Sequence, residues 1–401
     1  MTQLAAITRN TLLQTIRQPV YGIIVIVTLA GIALTPTLTA WTLDDDNKLL
    51  RDIGLSTLLI QGLFLAVFGA SNVIHTEIEE RTALTVAAKP VPRAIFLLGK
   101  YLGVLGALAV GHYLAGLAFY MTMRHGVLQT ASETSDPTVL LFGPGLMLLM
   151  VIAAVTLNYL WEWRFLPTLI GLAVPALTIG TVILLFINRE WKIEPFESTQ
   201  PIERLPAACQ DPDAFKGIIF FRPDEGQQHL AGHKGELVHN DWKGPISVDE
   251  QNYIKGLHET PKWRQDVNFL VEKTRKRQGV EITKAAVLLF VAVALLGSIS
   301  LAASTRMGVM GTFVTALFAL LIGLSSDQVL RPLAIGENPE TWAVVAYRVL
   351  PNFQAFWMVD ALSEHLIIPW TYMLSAAGYG LLYILAMLVV GMAFFETREV
   401  G

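Results

Sequence analysis

The feature that most limits what this chain can become is the way its apolar residues are gathered. They fall into eight runs: Val20–Leu43, Leu55–Ile74, Ala94–Met121, Val139–Leu160, Leu166–Asn188, Lys284–Ala303, Met307–Ser326 and Thr371–Phe395. Crossing roughly 30 Å of hydrocarbon takes about 20 mostly apolar residues in a helix. Lipid offers no partners to backbone polar groups, so a run of this length crosses as a helix with its bonds internal. Only 15% of the residues are charged, against about 25% in an ordinary soluble domain. The expectation is an all-α polytopic membrane protein with eight transmembrane helices.

The runs divide the chain into three parts. Residues 1–188 form an N-terminal membrane part of five spans, and residues 284–401 a C-terminal part of three. Between them lies a polar insert, 189–283, of about 95 residues, enough for a small domain with its own core. It holds apolar and aromatic groups (Ile218 to Phe221, Trp242, Trp263, Phe269) among prolines and glycines. It reads as loops and short strands at first and as more helical over Val248–Lys276. The stretch 331–370 carries Trp342, Trp357 and Trp370, residues that favour the membrane–water boundary. Short helices at that surface are expected there, not a ninth span. Residues 1–17 place Leu4, Leu12 and Ile16 on one face of an amphipathic helix lying on the membrane. The first run is too long for a signal-peptide core and lacks a good cleavage site, so it reads as a retained span.

Lysine and arginine in short loops set orientation. With the N-terminus inside, the inner loops hold Arg9, Arg17, Arg81, Lys89, Arg93, Lys100, Arg164, Arg306 and Arg398, and the outer ones Lys48, Arg51, Arg124, Arg331 and Arg348. The excess places both termini in the cytoplasm and the insert outside. The cluster Lys273, Arg275, Lys276 and Arg277 runs against this, but long loops escape the rule more than short ones do. The expected location is the plasma (inner) membrane.

The most structured polar connector is 75–93, HTEIEERTALTVAAKPVPR. Its acidic residues Glu77, Glu79 and Glu80 lie near the start of an expected short helix, where the helix dipole favours negative charge. Glu77 and Arg81 can pair four residues apart, and Pro90 and Pro92 end the helix. A solvated loop with a helical bias explains the charge pattern equally well. Gly99, Gly103, Gly106 and Gly111 follow; small residues at such spacing let helices approach closely in lipid.

In the insert, His229, His233, Glu236 and His239 are close enough in sequence to suggest metal ligands. Gly232 and Gly235 oppose a helix there, and polar loop histidines are the plainer reading. The single Cys209 excludes an internal disulfide and a cysteine-based cluster. Nothing marks a nucleic-acid site or a nucleophile–base pair. No GxxxxGK[ST] is present, so the chain has no recognisable ATP site. The span interiors read as free of paired carboxylates and cations, which disfavours a proton- or ion-coupled carrier.

The segments Glu77 to Thr85, Lys89-Pro90-Val91-Pro92-Arg93 and Gly99 to Gly103 together resemble the cytoplasmic coupling segment of ABC-2-type transporter permeases. Ala303-Ser304-Thr305-Arg306-Met307 resembles that family's short inner loop. Pro351 to Trp357, Asp360-Ala361-Leu362 and Ile368 to Tyr372 resemble the outer segment before its last span, and Phe394 to Glu399 its ending. The subgroup it most resembles is linked to copper-enzyme maturation and gliding motility. The resemblance implies a homodimer of permeases in the bilayer, served by two separate ABC ATPase subunits that carry ATP and Mg. It implies that Glu77–Ala88 docks on the ATPase, with Glu77, Glu79, Glu80, Arg81, Thr82 and Arg306 at that interface. No cofactor would be bound directly and the chain itself would not be an enzyme. The family pattern has six spans; this chain departs from it by the hairpin Val139–Asn188 and by the insert. An alternative reading is a membrane-anchored enzyme or metal-handling protein acting through the insert. A tightly held metal lost on changing His229 and His233 would favour that alternative.

Overall fold

The computed structural model describes residues 2–39, 46–79, 92–126, 135–187, 189, 191–193, 217–221, 228–232, 237–239, 263–335, 339–363 and 368–397. The protein is an all-α polytopic membrane protein, with eight helices long and apolar enough to cross a membrane. A short N-terminal helix, α1 (Thr2–Ile16), leads into α2 (Pro19–Thr39), α3 (Asp46–Glu79) and α4 (Arg93–His125). A four-residue turn of helix, α5 (Pro137–Leu140), then passes through a π-helical turn at Leu141–Gly145 into α6 (Leu146–Trp161). Pro144 inside that turn has no N–H to give, which suits the wider winding. The hairpin returns as α7 (Phe165–Leu184). Its tip turns at Glu162, which adopts a left-handed conformation with φ 56°.

In the insert, β1 (Gly217–Phe221), β2 (Gln228–Gly232) and β3 (Leu237–His239) form an antiparallel sheet in that order. The longest helix, α8 (Trp263–Ser304), runs unbroken through residue 283 into the sixth span. Then come α9 (Val309–Ser325), a second π-helical turn, α10 (Arg331–Ile335), α11 (Thr341–Val349), a 3-10 turn at Phe353–Phe356, α12 (Val359–Ser363) and α13 (Trp370–Glu396). Residues 339–363 thus form short helices, without a ninth span. Phe353 and Phe356 are fully buried. Tyr347 donates to Asp327 Oδ1 at 2.8 Å, and that bond raises the phenol's pKa.

The core sits where α3, α4 and α8 meet. The sixth span is 78% buried and the second 67%, against 22% for the fourth, in the added hairpin. Polar side chains tie the central helices by bonding to neighbouring backbone carbonyls, as helices in lipid commonly do. Tyr21 Oη donates to Ala107 O at 2.8 Å, Gln61 Nε2 to Gly111 O at 3.2 Å and Tyr101 Oη to Ala294 O at 3.1 Å.

The glycine stripe on α4 has a definite partner. A Cβ at Gly103 would lie 2.4 Å from Thr11 Cβ, one at Gly99 2.7 Å from Ile7 Cγ2, and one at Gly106 3.2 Å from Leu12 Cδ1. The helix that fills the stripe is α1, with Thr11 and Thr15 wholly buried. The N-terminal helix is therefore docked on the third span, which the expectation of a helix lying only on the membrane surface did not include.

Candidate functional site

The bundle has two ends. At one, here the connector end, lie Glu79 of α3 and Arg93 of α4. The insert leaves α7 and enters α8 at the other, the insert end.

At the connector end, α3 continues past its apolar stretch to Glu79 without a break. Glu77 and Glu79 therefore continue the winding of the second spanning helix and do not start a separate one. No glycine or proline stands between Ile74 and Glu79 to stop the winding. The side chains of 75–79 and all of 80–91, including Glu80, Arg81 and Thr82, lie outside the described residues.

The remaining predicted interface residue, Arg306, is exposed and described. Its guanidinium donates to Thr397 Oγ1 and stands over the Phe394 ring at 6.0 Å. Arg93, where the connector re-enters the bundle, donates from Nη1 to Glu396 O at 3.2 Å. Phe96 stacks on Phe395 at 5.9 Å. Two segments far apart in sequence thus gather around the last turn of α13, whose free carbonyls attract cations. Lys100, counted above with the inner loops, is buried within α4, its Nζ 5.3 Å from the Phe96 ring centroid.

Of the insert histidines, His229 lies in β2 and His239 in β3, where His239 pairs with Leu230. His233 lies outside the described residues, as does Glu236. Among the described residues no three histidine, cysteine or carboxylate groups are placed to hold a metal ion.

The insert end is held by buried charge. Asp136 caps α5: its Oδ1 accepts from Thr138 N at 3.0 Å, Thr138 Oγ1 at 2.6 Å and Val139 N at 3.3 Å, with Pro137 at the favoured first position. Its Oδ2 faces Arg124 Nε at 3.6 Å. The Arg124 guanidinium also donates to the carbonyls of Leu184 and Ile187, so it closes the end of α7. On α8, Lys284 Nζ donates to Glu281 Oε1 at 2.7 Å and to Ile368 O at 2.9 Å, while Glu281 Oε2 accepts from Ile368 N at 2.7 Å. Both side chains are 7% exposed. This corrects the expectation that the spans hold no paired charges. The pair stands at the first turns of the sixth span, where a sequence count assigns it to a boundary. Arg51 and Arg124, counted as outer-loop residues, are likewise helical, and Arg51 is 3% exposed.

Beside the Lys284 pair, α4, α7, α8 and α13 line an open cleft of about 660 Å³. Its walls are mostly apolar, with Leu117, Ile282 and Phe290 among them. His112 lines it from α4, donating from Nε2 to Ala286 O at 2.9 Å in the tautomer that suits that carbonyl. Nδ1 of the same ring has no partner among the described residues, nor has Tyr120 Oη, both shielded from solvent. Leaving a buried polar atom unmet costs about 1–3 kcal/mol. Between these two residues, a Cβ on Gly116 would meet nothing within 4 Å. Sequence reasoning passed over His112, although His112, Gly116 and Tyr120 recur at four-residue steps along one face.

No family profile, curated protein or solved structure matches the chain.

Proposed function

We propose that this chain is the membrane subunit of an ABC-2-type transporter. ATP hydrolysis by a separate ATPase subunit would be coupled through it to substrate export or to force carried across the membrane. The observation that supports the reading is the gathering at the connector end. Arg93, Arg306 and the 394–397 turn come from three of the segments that resemble the permease pattern, and they meet around one helix terminus. A docking surface assembled in that way feels movement of the connector directly in α3 and α4. Those two helices also form much of the core, and α1 is fastened to α4 by the glycine stripe. In this reading two copies pair, each engaging one ATPase loaded with ATP and Mg. The connector end faces the cytoplasm of a plasma (inner) membrane. Closure of the ATPases on ATP drives the permease by differential binding to one of its states.

The test is purification of the tagged protein from mild detergent, with ATPase activity measured on what accompanies it. A nucleotide-binding subunit is expected to co-purify, and to be lost when Glu77, Glu79 and Arg81 are all changed to alanine. A protein that purifies alone and without ATPase activity in repeated preparations contradicts the reading.

A further inference from the structure

We infer that the hairpin α6–α7 is gripped by the lipid headgroup regions of both leaflets, through Trp161 and Trp163 at its tip and Trp191 beyond its far end. The inference does not depend on the permease reading. The hairpin has little protein to hold it. Ala154 is the one buried residue of α6, which packs chiefly on α7. The other faces of α6 present Leu148, Leu149, Ile152 and Val155 outward. α7 has 20 residues, which rise about 30 Å, the thickness of the hydrocarbon core of a bilayer.

Exposed tryptophans stand just past both ends of that helix. Trp161 and Trp163 flank Glu162 at the tip and Trp191 follows α7, each at least half exposed. Among the described residues, Glu162 (φ 56°) and Trp191 (φ 63°) are the non-glycine residues with positive φ. Left-handed backbone is an outlier for a bulky side chain and persists where the surrounding structure imposes it. At the tip, Asn158 Nδ2 donates to Trp163 O and closes the turn. Beyond α7, an antiparallel bridge between Ile187 and Ile193 turns the chain back. Trp191 there leans on Phe142 of the first π-helical turn, 6.4 Å between ring centroids. Both strained turns thus carry exposed indoles at the ends of lipid-facing helices. An indole joins an apolar ring to a single N–H donor, which suits the level where hydrocarbon meets headgroups. Glu162 and Arg164, exposed beside the tip indoles, fit that level and not a deeper one, where charge is disfavoured. The tip surface is continuous with the outward apolar faces of α6 and α7, which selects lipid as its partner.

The experiment places the intact protein in nanodiscs of phosphatidylcholine brominated either beside the headgroup or at the chain ends. The emission lost in Trp161→Phe/Trp163→Phe, and separately in Trp191→Phe, isolates the indoles in question. Both difference signals are expected to be quenched more by bromine beside the headgroup than by bromine at the chain ends. The signal lost in Trp357→Phe, an indole packed on the core, supplies the level for a protein-shielded group. Quenching no greater than at Trp357, or greatest with bromine at the chain ends, would overturn the inference. A second measurement needs no variant. In the unaltered protein, lipids with a diazirine beside the glycerol should label the peptides holding 159–163 and 191 more than lipids with a diazirine at the chain end. The reverse order, or label on neither peptide, would overturn the inference even if a variant failed to fold.

Discussion

The two ends of the bundle are built differently. At the insert end, two buried ion pairs each tie several segments together. Arg124 joins α4, α5 and α7, while Glu281 and Lys284 join α8 to the start of α13. At the connector end Arg93 and Arg306 are exposed and, among the described residues, bond at the last turn of α13. Buried pairs tolerate little change, since removing one partner strands a charge. Exposed ones contribute little to stability and leave side chains free to find another partner. The contrast gives the insert end the buried ties between helices, and it is at the exposed connector end that the proposed function puts its partner.

The largest effect is expected from Lys284→Met. It strands Glu281 and should cost about 3–5 kcal/mol in unfolding from mixed micelles, with Glu281→Met added on top restoring most of the loss. If the single change is silent, the insert end is not the clasp described here. Asp136→Ala comes next. It removes the α5 cap and the carboxylate facing Arg124, for an expected loss of about 2–4 kcal/mol in the same assay. Gly103→Leu tests the α1–α4 contact and should cost about 1–3 kcal/mol through overpacking against Thr11. Gly116→Leu on the same helix should cost almost nothing, so equal losses would refute the close approach. The smallest effect on stability belongs to Arg306→Ala, which should leave unfolding unchanged while weakening retention of an ATPase subunit.

The helical frame was legible because length and apolarity decide it. All eight runs fall in helices long and apolar enough to span, with ends shifted by up to nine residues. The glycine stripe announced a close approach, but nothing in the stripe names α1 as the partner. Thr11 and Thr15 look polar in sequence and become buried only once the helix docks. The charged clasps escaped for a related reason. Arg124 and Lys284 stand at span ends, where a reader of sequence assigns cations to water, and their partners Asp136 and Ile368 lie across turns or far along the chain. His112 escaped because a single imidazole in an apolar helix has no charged neighbour three or four residues away. At the connector, the expectation of a helix starting at Glu77 failed because α3 carries its winding through Glu79 unopposed.

The central claim is that the connector end is a docking surface and the insert end is not. Its most direct test is ATP hydrolysis by the co-purified complex, comparing Arg306→Ala with the unaltered chain at matched folded protein. The account predicts that hydrolysis and subunit retention fall together in the variant while thermal stability is kept. A complex that retains its ATPase and hydrolyses ATP at the unaltered rate would contradict it.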